Sequence, residues 1–389
     1  MNILFLSENY FPNVSGVPVV VRYLAEGLLK KNHKVGVATT CFENEPRIDC
    51  IGGIDVYRFH LCKDFFHRYK GDIREYVEFV KNYPADIIII ECSQCVTTDI
   101  LLPHLKYINA KIIFHSHGFS GLESPFFAIR SDVIHTLGTT YNWIVSRYYF
   151  GVKFKKALKY FDASLCLSEV DNSKPYLDRL AKNVYVLDNA AEEMFYREIN
   201  INNTLSKYAT LENDTYFMSC ANYQYVKDQI SIINQYYRSE ASKSNSLVCI
   251  GSRANDYYQQ CVEVVKENEI KFGHRNVVLL IGVERADIPA IINKAKLYIV
   301  ASRCERYSIS IIEAMSQGIP FVSTNVGNSS ILPGGVTVNN TNEIHEQIDR
   351  LVSNNALYSR YASAGKSFAY ENCRIEAVVE KLNRIILNL

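Results

Sequence analysis

Residues 297–320 read LYIVASRCERYSISIIEAMSQGIP, and this stretch contains both kinds of element from which the fold is built. The apolar run 297–301 is typical of a buried strand, and a helical pattern begins near residues 307–308. Gly318 and Pro320 stand where a left-handed helix cap and a helix stop are expected. The stretch therefore predicts a strand, a loop and a helix, the repeating unit of an α/β protein.

The same alternation of strand and helix runs through both halves of the chain. Short continuous apolar runs predict strands at 2–7, 34–40, 86–91, 111–115, 164–168, 183–187, 215–220, 246–250, 276–281, 297–301 and 321–324. Such strands, spaced by helical patterns, indicate parallel sheets that helices cover on both faces. At 389 residues the chain is long enough for two domains. The polar stretch 192–213 separates them, so we expect domains at 1–191 and 192–370 and a terminal helical segment at 371–389.

Composition narrows the class of protein. The 48% apolar and 21% charged residues are typical of a globular chain, and the net charge of +1 gives no basic excess of the kind that marks nucleic-acid binders. The first residues lack the basic region of a secretory signal, and eleven cysteines are then best interpreted as reduced thiols. No apolar run approaches the ~18 residues of a membrane span. We expect a cytoplasmic protein, or one peripheral on the inner face of the membrane.

Two carboxylates follow the predicted strand 297–301 at its carboxyl end. In doubly wound sheets, ligands bind beyond the carboxyl ends of the strands. Glu305 lies in the loop and Glu313 lies on the helix among apolar neighbours, where a carboxylate needs hydrogen-bond partners. Hydroxyl groups of a sugar or ribose would supply them, and the amides at the helix start would receive a phosphate. Isolated glutamates are more often solvated surface charges, and that alternative stays open for the residues taken singly.

Glu305, Glu313 and the following Ala-Met-x-x-Gly-x-Pro form an E-x7-E segment that resembles the retaining family-4 glycosyltransferases of the GT-B fold. Further matches occur in order along nearly the whole chain, at Pro12, Gly16, Leu24, Ala25, Leu28, His33, Val35, His117, Gly118, Ser168, Asn189, Lys227, Gly251 and Gly282. The resemblance implies two Rossmann-like, doubly wound domains facing each other across a cleft. It also implies that the terminal helix crosses back to the first domain.

The resemblance assigns the donor-binding residues of the second domain. Glu305 would contact the donor sugar and Glu313 the ribose of the nucleotide. The amides around Ser308 and Ile309 would meet the diphosphate, and Lys227 would neutralise the phosphates. A solvated lysine at a helix start is an equally common role for Lys227 on sequence alone.

Two positions depart from the family pattern. Arg306-Tyr307-Ser308 stands where many relatives have Gly-Phe-Gly, and Asn222 stands where the family has an arginine. An asparagine amide donates a hydrogen bond but lacks the charge and the forked geometry of a guanidinium. Arg303 and Arg306 are candidates to supply the positive charge that Asn222 lacks. The effect of Asn222 on activity stays open.

In the first domain the resemblance points to a loop and a histidine. Gly16 closes the loop 11–16, a candidate for backbone contact with phosphate or acceptor. His117 would contact the donor sugar across the cleft, while His115 is interpreted as scaffold. Histidines two residues apart also occur in metal sites, but no nearby third ligand is evident in the sequence.

The segment from Arg147 to Tyr160 mixes bases and aromatic residues and contains no acid. Two interpretations stay open for it. One is a solvated helix face that packs on the sheet, and the other is a docking surface for anionic lipid headgroups.

Together these features predict a retaining, metal-independent glycosyltransferase with His117, Lys227 and Glu305 as catalytic residues. We expect a UDP-sugar donor, no further cofactor, and no metal, because the sequence has no Asp-x-Asp pair. The expected acceptor is a glycan or its lipid-linked precursor, in cell-surface polysaccharide synthesis. Two alternatives are a non-catalytic sugar-nucleotide-binding subunit and an inverting GT-B transferase or epimerase.

Overall fold

A computed structural model describes residues 1–12, 16–41, 45–64, 68–123, 133–197, 204–208, 211 and 215–389. The chain divides into two compact units. The first comprises Met1–Asp188 together with Val378–Leu389, and the second comprises Asn189–Ala377. The boundary between the two lies three residues before the predicted one at 191. The predicted segment 371–389 divides at Ala377, and its later part belongs to the first unit.

The first unit is built on an eight-stranded sheet with the order β10-β9-β8-β7-β1-β2-β4-β3. Its strands are β1 (Asn2–Leu6), β2 (Lys34–Thr40), β3 (Ile48–Ile51), β4 (Ile54–Phe59), β7 (Ile87–Glu91), β8 (Lys111–His115), β9 (Ala163–Cys166) and β10 (Val184–Val186). All neighbours pair in parallel except β3 and β4, which pair antiparallel. A separate hairpin joins β5 (Leu61–Lys63) and β6 (Tyr69–Gly71). The expectation of a wholly parallel sheet is therefore wrong at this edge.

Helices accompany this first sheet. They are α1 (Val17–Lys30), α2 (Ile73–Asn82), α3 (Val96–Leu101), α4 (Ser120–Glu123), α5 (Val133–Tyr148), α6 (Phe154–Ala157) and α7 (Lys174–Leu180), and a π-helical turn, Tyr149–Lys153, joins α5 to α6. The terminal helix α14 (Ile375–Leu387) packs into the same unit from Val378 onward. There the His33 ring Nε2 lies 2.8 Å from Asn383 Oδ1, and Lys381 Nζ lies 3.3 Å from Asp188 Oδ2.

The second unit has a six-stranded parallel sheet with the order β13-β12-β11-β14-β15-β16. The strands are β11 (Tyr216–Cys220), β12 (Ser246–Gly251), β13 (Val277–Ile281), β14 (Leu297–Val300), β15 (Phe321–Thr324) and β16 (Gly335–Val338). Its helices are α8 (Gln229–Arg238), α9 (Asp256–Phe272), α10 (Ile288–Lys294), α11 (Ile309–Ser316), α12 (Ile344–Ser353) and α13 (Asn355–Asn372). The strand order reverses between β11 and β14, the topological switch point of a doubly wound sheet.

The apolar strands explain why each sheet lies at the centre of its unit, with helices on both faces. Every residue of β7, β12 and β14 is buried, as continuous apolar runs predict for strands covered on both faces. Around the second sheet, Phe217, Leu247, Leu297 and Val322 share one core with the apolar faces of α8 and α12. Within the described residues, no helix has the length and apolar character needed to cross a membrane.

Candidate functional site

A cavity of about 310 Å³ opens at the switch point of the second sheet. It is lined by the residues that follow two neighbouring strands, and by the start of α11: Ser219, Cys220, Ala221, Asn222, Lys227, Val300, Ser302, Glu305, Tyr307, Ser308, Ile309 and Ser310. Five of the predicted donor-binding residues, Asn222, Lys227, Glu305, Ser308 and Ile309, are therefore brought together. Glu313 is not among the lining residues.

Lys227 and Glu305 form an ion pair at this cavity. Lys227 Nζ donates to Glu305 Oε1 over 2.5 Å, and Ser302 Oγ donates to the same oxygen over 2.8 Å. Lys227 lies in the turn before α8, and Glu305 lies in the loop after β14. Both side chains are partly buried, at 26% and 15% exposed. Lys227 is the one basic side chain among the described residues that line the cavity, so it carries the positive charge there.

The predicted helix start is displaced by one residue or two. Ser308 is the N-terminal cap residue, and α11 begins at Ile309. The Ser308 amide donates to Asn328 Oδ1 over 2.9 Å, and the Ile309 amide donates to the Tyr307 carbonyl over 3.2 Å. Both amides that the resemblance assigns to a diphosphate thus have acceptors within the protein. At the other end of the helix, Gly318 has φ 73°, which confirms the left-handed cap.

Glu313 is buried on α11 and has a protein partner, Arg285. Both terminal nitrogens of the Arg285 guanidinium, Nη1 and Nη2, donate to the Glu313 carboxylate, Nη1 over 3.3 Å. Arg285 Nε also donates to Glu192 Oε1 over 2.9 Å. Burial raises the pKa of the Glu313 carboxyl, against the opposing effect of Arg285. The expectation that ligand hydroxyls satisfy this carboxylate is corrected here, because Arg285 already does so; a contact with ribose stays a prediction.

Asn222 is exposed, at the position where a family arginine was expected. Arg303 does not take its place at the cavity. Its Nη2 lies 2.7 Å from Asp228 Oδ2, and its guanidinium stacks 4.1 Å from the centre of the Tyr225 ring. Neither Arg303 nor Arg306 is among the residues that line the cavity.

Gly16 precedes α1 in the first unit and adopts φ 57° and ψ −123°. A Cβ atom built there would meet nothing within 4 Å, so the backbone conformation, and not the space, requires a glycine. The preceding residues 13–15 of the predicted loop lie outside the described residues.

His117 belongs to a buried cluster that also contains Glu91 and His115. In the register of the sheet, the last residue of β7, Glu91, pairs with the last residue of β8, His115. Glu91 Oε2 lies 2.6 Å from His117 Nε2 and 3.0 Å from His115 Nδ1. His117 itself has φ 51°, which is uncommon for a residue with a side chain and clusters at functional sites. Glu91 was not predicted from the sequence as the partner of these histidines.

Electrostatics fix the protonation of this cluster. Burial alone would raise the pKa of the Glu91 carboxyl, but the charges and hydrogen bonds of His115 and His117 outweigh it and lower that pKa to about 2. Burial, and then His115, lower the pKa of the His117 imidazole despite the attraction of Glu91. In its neutral form His117 donates its Nε2–H to the carboxylate, which leaves Nδ1 as an acceptor.

The three side chains of this cluster also form a potential metal-ligand set. Their ligand atoms lie within 4.8 Å of one another, and two imidazoles with one carboxylate are a known set for zinc. Among the described residues this is the one such group. The third ligand that the sequence did not reveal is therefore Glu91.

Part of the sequence is similar to known proteins. Residues 215–354 match the family model described as "Glycosyl transferases group 1". N-acetyl-alpha-D-glucosaminyl L-malate synthase of Bacillus anthracis is 20% identical over 210 residues, which are 52% of this chain and 53% of that protein. The alignment thus spans about half the length of that relative.

Two solved structures share the fold. Sucrose-phosphate synthase from Thermosynechococcus elongatus superposes with a TM-score of 0.75 at 14% identity, over 100% of this chain and 98% of that one. The Anabaena protein HepE in complex with UDP and glucose superposes with a TM-score of 0.70 at 14% identity, over 100% of both chains. The expected GT-B fold class is confirmed. Residues 215–354, in the second unit, are similar to the glycosyl transferases of group 1.

Proposed function

We propose that this chain transfers a sugar from a nucleotide diphosphate sugar, with UDP as the nucleotide, and that the donor binds at the cavity of the second unit. The observation that carries the proposal is the Lys227–Glu305 pair at the switch point of the sheet. It places a cation and a carboxylate side by side where doubly wound sheets bind their ligands. The structural neighbour with UDP and glucose supports the choice of nucleotide.

In this proposal each residue of the second unit contacts a different part of the donor. Lys227 stabilises the charge that develops on the leaving diphosphate, and Glu305 accepts hydrogen bonds from the sugar hydroxyls. Asn222 donates to phosphate oxygens, and the amides of Ser308 and Ile309 do so in place of their present acceptors, Asn328 Oδ1 and the Tyr307 carbonyl. Glu313, held by Arg285, receives the ribose hydroxyls at its carboxylate.

The first unit supplies His117 and Gly16 in the same proposal. The Nδ1 acceptor of His117 contacts a hydroxyl of the donor sugar, as the resemblance implies, and Glu91 holds its ring. Gly16 offers its backbone to phosphate or acceptor.

The reaction we propose is retaining and needs no metal ion. The acceptor oxygen attacks the anomeric carbon from the face that the diphosphate leaves, so an α-linked donor gives an α-linked product. The acceptor proton passes to the leaving phosphate oxygen, and no protein base is assigned. We propose a glycan or a lipid-linked precursor as acceptor, in cell-surface polysaccharide synthesis on the cytoplasmic face of the membrane.

The experiment is to incubate the purified chain with UDP-, GDP- and ADP-sugars and to follow release of the nucleotide. NMR of the sugar product then gives its anomeric configuration. We expect release from the UDP-sugar, retention of configuration, and an unchanged rate in EDTA. Loss of activity in EDTA that Mn²⁺ or Mg²⁺ restores would contradict the metal-free mechanism. Tight binding of the donor with no turnover would favour a non-catalytic binding subunit, an alternative that Asn222 supports.

A further inference from the structure

A second cavity, of about 690 Å³, lies in the first unit between α3 and the segment that begins at Tyr149. Its walls are apolar over much of their length, at Ile73, Ile100, Leu102, Pro103 and Ala157, and lysines surround it at Lys106, Lys153, Lys156 and Lys159. Three of these lysines belong to the segment from Arg147 to Tyr160, which has five bases and no acid. An apolar cavity with a basic rim is therefore a feature of this unit.

Within the described residues the four lysines form no ion pair that would explain their grouping, although the Asp99 carboxylate attracts Lys153. All four are exposed, and among the described residues none forms an ion pair with a carboxylate. Lysines elsewhere in the same unit are paired, as Lys111 is with Asp162 and Lys174 is with Asp178. Lys106, Lys153 and Lys159 lie instead over the rings of Tyr107, Tyr148 and Tyr160. Grouped ammonium groups without an ion-pair partner attract anionic groups such as lipid phosphates.

The lining of the cavity also contains one carboxylate, that of Asp99. Tyr69 donates to Asp99 Oδ2 over 2.9 Å, and Tyr149 donates to Asp99 Oδ1 over 2.6 Å. Both oxygens are therefore satisfied within the protein. A negative group in the lining repels a phosphate, so an anion is held beside the lysines and away from Asp99.

We propose that this cavity binds an anionic phospholipid of a membrane surface. The phosphate lies among Lys106, Lys153, Lys156 and Lys159, and the first carbons of the chains lie against Ile100, Leu102 and Ala157. The combination of charge and apolar wall selects an amphiphile, since a free phosphate would leave the wall exposed to water. This inference gives a site to the membrane contact in the proposed function, but it does not depend on the sugar transfer.

The test is flotation of the full-length chain with vesicles of phosphatidylcholine, alone or with about 30% phosphatidylglycerol at about physiological ionic strength. We expect binding only to the anionic vesicles. The double variant Lys106→Glu/Lys156→Glu should bind about 600-fold more weakly, because each basic residue near an anionic surface contributes about a fivefold factor and each reversal of charge counts twice. Equal binding to both vesicle types would overturn the proposal.

Matched variants separate a defined site from diffuse attraction. Lys34 and Lys155 are exposed in the same unit but do not line the cavity. Lys34→Glu/Lys155→Glu has the same net charge as the first double variant, and we expect less than a tenfold loss. Ile73→Trp fills the cavity and should abolish NMR shifts caused by monomeric dihexanoyl phosphatidylglycerol. Equal losses in the two double variants, or unchanged shifts in Ile73→Trp, would overturn the defined site.

Binding of UDP serves as the folding control for each of these variants. It is measured without vesicles, and we expect it to equal that of the wild type. A failure of vesicle binding with intact UDP binding would reject this inference alone. A failure of UDP binding in the wild type would instead reject the proposed function.

Discussion

Lys227 can donate hydrogen bonds to a diphosphate while it keeps its ion pair with Glu305. An ammonium group has three N–H donors, and the ion pair with Glu305 Oε1 uses one of them. The remaining donors are available to phosphate oxygens at the cavity. Because the pair is only partly buried, the pairing itself contributes little to folding, and its main effect is to fix the direction of the lysine side chain.

Replacement of Lys227 should therefore affect turnover more than folding. We expect Lys227→Ala to lower turnover by about 10²–10³-fold, the usual loss when one positioned donor of the transition state is removed. Lys227→Arg keeps the charge and should stay within about tenfold of the wild type. Initial rates with a UDP-sugar measure this, and Lys266→Ala, exposed on α9, is the control. Equal losses in the alanine and arginine variants would argue against a charge role.

Glu91 should stabilise the fold at neutral pH. Its pKa is lowered to about 2 in the folded chain from about 4.3 when unfolded, so the stabilisation is present above about pH 4.3 and is lost as the pH falls toward 2. We expect Glu91→Gln to lower the free energy of unfolding at pH 7 by about 2–4 kcal/mol, because each tenfold difference in proton affinity between the folded and unfolded chain corresponds to about 1.4 kcal/mol. The deficit should shrink in urea titrations at pH 4 and pH 3. A deficit independent of pH, or one shared by the exposed control Glu371→Gln, would contradict this.

The resemblance assigned Lys227 and Glu305 to the donor, and the structure brings both to one cavity because each follows a strand that the sequence predicts clearly. Residue types and order were not enough for Arg285 or Glu91. Arg285 lies 28 residues before its partner Glu313. Glu91 meets His115 only because β7 and β8 are neighbours in the sheet. Contacts of this kind depend on strand order, which apolar periodicity does not encode.

Among the elements, the sequence predicts strands with continuous apolar runs better than strands without them: the edge strands β10 and β13 were predicted, and β4, inside its sheet, was missed. The bounds of β2, β8 and β15 were predicted to the residue, since each is a continuous apolar or nearly apolar run. In contrast β3, at the edge of its sheet, alternates exposed and half-buried residues, and β16, at the other sheet's edge, is only partly buried. Both edge strands were missed because they lack the continuous apolar run that full burial requires.

The terminal helix α14 approaches α1 closely at one glycine. A Cβ atom on Gly27 would lie 2.3 Å from a methyl carbon of Val379, so the contact has no room for a side chain. We expect Gly27→Ala to destabilise the chain by about 1–2 kcal/mol, because overpacking outweighs the helix propensity that alanine adds. In a Val379→Ala background the same change should become stabilising. Urea unfolding of the four proteins measures this, and the same sign in both backgrounds would contradict the packing of α14 on α1.

In the whole molecule, nucleotide binding and the rest of the proposed reaction belong to different units. The residues proposed to hold the nucleotide belong to the second unit, where the family match also lies. His117 and its partner Glu91 belong to the first unit. Variants of the second unit should therefore lose nucleotide affinity, and a variant of His117 should lose turnover instead.

Calorimetric titration of the chain with UDP measures this division between the two units. We predict that the wild type binds UDP and that His117→Ala binds it within about twofold. Lys227→Ala should bind it roughly tenfold or more weakly, since a hydrogen bond to a charged group contributes about 1.5–3 kcal/mol. Unaltered UDP affinity in a folded Lys227→Ala variant would contradict the account, because the cavity at the switch point would then not hold the diphosphate.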